Sequence, residues 1–269
     1  MRLGAFLVGV SLVWSAPLAA DEAVDRLASA MRIDEVVGIL REEGLSYARD
    51  LDQDMLGGSG GSFFESQVEI IYATEAMKAD LRNALDVGLT PGQIEQAALF
   101  FESDLGQMII ALENSARRAF SDDAVEEMAK ANYAAVDRNS ALFLLVDEYV
   151  QINDLVEQNL NGTLSADFNF LRGVADGQDV FSDDAALLST LLTRKDETRK
   201  ETEDWLYGFL LMAYQPLSEA QLRENIAFSR TEAGKALNTA LFEGFDRMYD
   251  RISFELGFAV GGAMTASDL

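Results

Sequence analysis

Neither cysteine nor histidine occurs in the 269 residues, and proline appears only at 17, 91 and 216. Without Cys there are no disulfides, thiolate nucleophiles, or Cys-held zinc or iron–sulfur sites. Without His, imidazole acid–base catalysis, Ser-His-Asp chemistry and His-ligated metals are excluded too. Cations are also scarce: 21 Lys and Arg face 46 Asp and Glu, a formal charge of −25. Nucleic acids and anionic membrane surfaces are bound by clustered Lys and Arg, so this balance argues against both partners. The ionisable chemistry that remains is carboxylate, Tyr, Lys and Arg. No set of residues in it marks a catalytic centre or a cofactor site.

The N-terminus has the order of a secretory signal peptide. Arg2 supplies the charge, Leu3 to Trp14 is uncharged and largely apolar, and Pro17-Leu18-Ala19-Ala20 leads into Asp21-Glu22. We expect cleavage after Ala20, although Leu18 is larger than the usual residue at that place. The apolar run falls short of the ~20 residues that span a bilayer, and no later run approaches that length. The expected product is periplasmic or secreted, with no membrane span once the leader is cut. A chain of this size buries roughly 70–75% of its unfolded surface and needs no staples.

Nearly everything else reads as helix. Ile33, Val36, Val37 and Leu40 recur at i, i+3, i+4 and i+7, and similar stripes run through 142–160 and 241–252. Breaks are expected at Gly57–Ser62, taken as a flexible connector, at Asn161-Gly162-Thr163 and at Asp176-Gly177. Thr193 to Asp204 carries no apolar side chain. It predicts a helix wet in its middle, buried at both ends and projecting between packed units. The fold class is all-α.

An internal repeat appears on sliding the chain against itself by 128 residues. Leu89-Thr90-Pro91-Gly92-Gln93-Ile94 then faces Leu217-Ser218-Glu219-Ala220-Gln221-Leu222, and Phe100, Ser103 and Gly106 face Phe228, Thr231 and Gly234. Thr90 with Gln93, and Ser218 with Gln221, have the spacing of capping boxes. Leu89 with Ile94, and Leu217 with Leu222, have that of hydrophobic staples. Ser103 and Thr231 then cap a following helix, with Asp104 and Glu232 complementing its dipole. Gly106 and Gly234 cost ~1 kcal/mol each in that first turn relative to Ala, which close approach of the preceding helix would compensate. Upstream, Ile33-Asp34-Glu35-Val36-Val37 resembles Ile152-Asn153-Asp154-Leu155-Val156. These matches predict two tandem related helical units, 21–138 and 139–269, each with a capped helix, a glycine corner and a second helix. Their carboxylates number 24 and 22 against ten cations each, so the acidity is no tail.

A start of Leu-Ser/Thr-x-x-Gln followed by Phe-x-x-Ser/Thr-x-x-Gly resembles the exported bacterial helical family called domain of unknown function 2059. Members of that family typically show Phe-Tyr-x-Ser-Pro-x-Gly; here Phe100-Phe101-Glu102-Ser103-Asp104-Leu105-Gly106 and its second copy lack both the Tyr and the Pro. The resemblance covers about thirty residues per copy. It implies export and helical architecture, and it carries no activity or catalytic residues over.

Three further patterns invite chemistry. Asp50, Asp52 and Asp54 suggest a calcium loop, but an EF-hand needs Gly at position 6 and Glu at position 12, where Met55 and Gly61 stand. They are weak metal candidates at most. Glu65-Ser66 and Glu102-Ser103 resemble the Glu-Ser dipeptide of helical lytic transglycosylases, without the Gly-Leu-Met-Gln element downstream. Gly257 to Gly261 makes one Gly-x-x-x-Gly, read as a frayed or closely packed C-terminus. The functional expectation is a non-catalytic binding protein of the cell envelope, its partner a protein or a small apolar ligand. The alternatives are a carboxylate-dependent hydrolase of envelope polymers and an acidic protein binding divalent cations.

Overall fold

In a computed structural model the described residues are 16–181 and 183–267, so most of the expected leader lies outside them. They form thirteen helices and no strand: α1 (Ala16–Ala30), α2 (Ile33–Leu56), α3 (Gly61–Ile71), α4 (Thr74–Gly88), α5 (Pro91–Glu102), α6 (Asp104–Phe120), α7 (Asp123–Ala135), α8 (Ala141–Ile152), α9 (Leu155–Gly177), α10 (Asp184–Thr193), α11 (Lys195–Tyr214), α12 (Glu219–Ser229) and α13 (Glu232–Ser267). None of the described helices is long and apolar enough to cross a membrane.

Two cores hold the molecule, and residues on both sides of 138 contribute to each. The first gathers α1 to α5, with Leu27, Val37, Leu81 and Leu85 at its centre, and is closed by Leu237, Met248, Ile252 and Leu256 of α13. The second gathers α8, α11 and α12 around Val146, Tyr214 and Leu222, and is closed by Leu105 and Ile109 of α6 and Tyr133 of α7. Helix packing is reciprocal: α1 lies on α5 and α8 on α12, while α4 packs on α13 and α11 on α6 and α7. The closing helices differ in one respect. A turn at Ser121–Asp122 breaks α6 from α7, whereas α13 runs 36 residues without interruption.

Several expected boundaries move. The glycine-serine run is an ordered loop, not a flexible connector: Gly57 closes α2 in the left-handed conformation (φ 61°), Asp52 Oδ1 accepts the Gly60 N–H at 2.8 Å, and α3 begins at Gly61. No break occurs at Gly162. There α9 continues alongside α13, and a Cβ on Gly162 would lie 2.8 Å from the Asp246 carboxylate Oδ1. The 193–204 stretch is not one helix: Thr193 ends α10, Arg194 turns the chain, and 195–204 is the first half of α11, where burial begins only at Leu206. The preceding leucines are not buried either, since α10 has no buried residue and leans on α9 and α11. The upstream match also shifts. Left-handed residues Arg32 (φ 52°) and Asp154 (φ 51°) start α2 and α9, so Ile33 corresponds to Leu155, three residues beyond Ile152.

The longest interface joins α9 to α13. Gly173 and Gly177 on α9 meet Gly257 and Gly261 on α13, and each hypothetical Cβ would fall 2.1–2.3 Å from a carbonyl oxygen of the other helix. The C-terminal Gly-x-x-x-Gly is therefore packed backbone to backbone. Contact partners advance together along both helices, from Ser165–Asp250 to Gln178–Met264, so the pair is parallel.

Candidate binding cleft and the paired corners

The corner residues singled out by the repeat meet at the junction of the two cores. Both capping boxes are complete: Gln93 N–H donates to Thr90 Oγ1 and Gln221 N–H to Ser218 Oγ, each at 3.4 Å, while each Gln Oε1 accepts the cap N–H. The hydroxyls of Ser103 and Thr231 accept the N–H of Gly106 and Gly234 at 3.1 and 3.0 Å. A Cβ on either glycine would lie 2.2 Å from the carbonyl oxygen of Phe100 or Phe228. The two phenylalanines stack on each other, centroids 4.0 Å apart and planes 2° apart. The Gln93 amide crosses to the Glu232 carbonyl and the Gln221 amide to Met108 Sδ. These residues make a joint, and none of them lines the cleft described below.

The joint is flanked by ion pairs of opposite polarity. On α1 and α5, Arg26 grips Glu102 with two bonds of 2.6 and 2.7 Å; Glu148 of α8 pairs with Arg230, just past the end of α12, at 2.7 Å. Exposed pairs are worth ~0–1 kcal/mol, so Arg230→Glu alone should lower stability by about that much. Adding Glu148→Arg should restore it, as chemical denaturation of the single and double variants will show.

Between α7, α8, the start of α9 and α11 lies a cleft of about 460 Å³. Tyr133 and Tyr207 stack at 4.8 Å, and Phe143 stacks on Tyr207 at 5.9 Å. Tyr133 donates its hydroxyl to Glu203 and Tyr207 to Asp147, both at 2.6 Å. Burial, reinforced by the Glu203 hydrogen bond and opposed by Arg138, pushes Tyr133 up to about 12. Burial and Asp147 push Tyr207 up as well, so both phenols stay protonated as donors. The Arg138 guanidinium lies 4.1 Å from the Tyr133 centroid and 4.6 Å from that of Phe143. Aromatic faces beside carboxylates fixed by hydrogen bonds form a site for a cation.

Nothing local in the sequence marks this cleft, because Tyr133 and Glu203 are 70 residues apart. The available signal was the i, i+4 pairing of Phe143 with Asp147 and of Glu203 with Tyr207 along single helices. The other candidates fare differently. Asp50 and Asp54 are exposed on α2, Asp52 is engaged by Gly60, and among the described residues no group of three or more carboxylates could hold a metal ion. Glu102 is held by Arg26, which keeps its carboxyl below the usual range. Glu65 is exposed at the start of α3. Glu113 is half-buried and its carboxyl is raised by burial, and it faces Tyr214 in the second core rather than the cleft. A hydrolase would need such a group paired with a second carboxylate across a cleft.

Comparison with curated proteins and with solved structures gave no match. Comparison with protein families gave one, and it spans α4 to α7 and includes the first capped corner. Residues 75–134 match the family described as "Uncharacterized protein conserved in bacteria (DUF2059)".

Proposed function

We propose that the chain is an exported, non-catalytic binding protein of the cell envelope, and that the α7–α8–α11 cleft receives a cationic group of its partner. Export rests on the charge–apolar–small order of residues 1–20. The observation that carries the binding reading is the cleft itself: stacked, protonated tyrosines fix Glu203 and Asp147 beside aromatic faces. A surrounding field of −25 raises the local concentration of basic partners and speeds their encounter. We further propose that residues 21–138 and 139–269 are two copies of one helical unit. The paired capping boxes, the left-handed Arg32 and Asp154, the glycine corners and the reversed ion pairs support that reading.

Titrating the full chain with a short lysine–arginine peptide tests the binding reading. Asp147→Asn with Glu203→Gln should weaken binding about tenfold, the order expected for two charges lost from a partly desolvated site. Asp50→Asn with Asp54→Asn removes the same charge from an exposed helix end and should change little. Equal losses from both double variants would mean that only the overall field attracts the peptide, and the cleft reading would fail.

A further inference from the structure

Arg138 is seated unusually for a cation in this chain. Carboxylates outnumber Lys and Arg by 46 to 21, and Asp147 and Glu203 line the same cleft. Yet its guanidinium rests on the faces of Tyr133 and Phe143, while those two carboxylates accept tyrosine hydroxyls. The connector that carries it is built to present it there. Asp137 Oδ1 accepts the Asn139 N–H at 2.9 Å, the Asp137 carbonyl accepts that of Ser140, and Ser140 caps α8 through the Phe143 N–H. Arg138 thus projects from a tight turn between α7 and α8. Arg138 is itself an exposed residue, whereas the rings beneath it, Tyr133 and Phe143, are buried.

We infer that Arg138 is a tethered occupant of the cleft, and that the ligand which displaces it is the guanidinium of an arginine in a basic peptide segment. The inference rests on the cleft being the binding site, as proposed above. A planar, weakly hydrated guanidinium lies flat on a ring, whereas a compact, strongly hydrated ammonium gives up more water to do so. The rings are already spaced to hold that plane at 4.1 and 4.6 Å. Once the resident side chain swings out, an incoming arginine gains the same two faces, with the Asp147 and Glu203 carboxylates beside them. Because the resident cation competes, the free protein shows a weakened apparent affinity, reduced by the fraction of time the cleft is open.

The test uses the full chain and two blocked peptides, acetyl-Gly-Gly-Arg-Gly-Gly-amide and its lysine counterpart, titrated by calorimetry or by NMR shifts. Arg138→Ala should bind the arginine peptide about fivefold more tightly than the parent chain, the scale of a cation–ring contact removed from competition. It should prefer arginine over lysine, and Arg49→Ala on the exposed face of α2 should have no effect. A thermal melt matching the parent shows that Arg138→Ala has kept the fold; if it has not, Arg138→Gln replaces it, as a neutral polar side chain too short to place a guanidinium on the rings. Unchanged or weaker arginine-peptide binding overturns the inference, as does equal binding of the lysine peptide. If Asp147→Asn with Glu203→Gln weakens basic-peptide binding about tenfold while Arg138 variants change nothing, the cleft reading stands and this inference falls. If neither set of changes matters, both fall.

Discussion

Gly257→Ala should destabilise the protein by roughly 3 kcal/mol or more, which for a chain of this size is a fall in Tm of about 6–12 °C. The added methyl would lie 2.1 Å from the Phe170 carbonyl oxygen and 3.0 Å from the Val174 N. Those are backbone atoms of a helix and cannot rotate away, so α9 and α13 must separate along the whole glycine seam. The damage spreads because the same α13 closes the first core through Leu237, Met248, Ile252 and Leu256. Gly262 provides the control on the same helix. A Cβ there meets nothing within 4 Å, so Gly262→Ala should be neutral or stabilising by up to ~1 kcal/mol through helix propensity. Equal effects of the two substitutions would show that the seam is looser than described.

Glu113→Gln should stabilise the protein at about pH 8 by roughly 1–3 kcal/mol, the scale of a buried polar group relieved of a mismatched charge. Glu113 lies on α6 against Tyr214 of α11, whose hydroxyl donates to its Oε1 at 2.5 Å, with Tyr149 of α8 and Asn225 of α12 completing the cluster. Burial raises the Glu113 carboxyl, and the Tyr214 bond only partly offsets that. The folded state therefore holds this proton more tightly than the unfolded state does. The stability it contributes is fully present below the unfolded carboxyl range and is lost as pH rises through the folded value. The gap between variant and parent should widen from about pH 4 to about pH 8, measured by urea melts at each pH. Taking the difference cancels the self-repulsion of the other carboxylates, which also grows with pH. A variant destabilised equally at both ends of the range would mean that Glu113 is charged in the fold.

Local chemistry was legible in the sequence and long-range placement was not. Thr90, Ser218, Ser103 and Thr231 announce helix starts because a cap is satisfied within three residues of itself. Gly162 misled because the same residue serves a turn or a close approach, and only the partner helix decides which. Gly173 and Gly177 carry on α9 the same spacing as Gly257 and Gly261, but one glycine pair does not name the other. The ion pairs Arg26–Glu102 and Glu148–Arg230 escape any search for identity, since their charges run in opposite order along the chain. The cleft needed Tyr133, Phe143, Asp147, Glu203 and Tyr207 brought together from three helices. The assignment of α13 to the first core, and of α6 with α7 to the second, is likewise a tertiary choice that no window of sequence contains.

The central claim is that the two halves of the chain share their cores by exchanging their closing helices, and cutting the chain between them tests it most directly. A specific protease sequence inserted after Asn139, in the exposed connector between α7 and α8, leaves every helix intact. After cleavage, the account predicts that the two pieces stay together as one particle of the parent mass and melt in a single transition. Separation into two folded monomers with independent melts would contradict it.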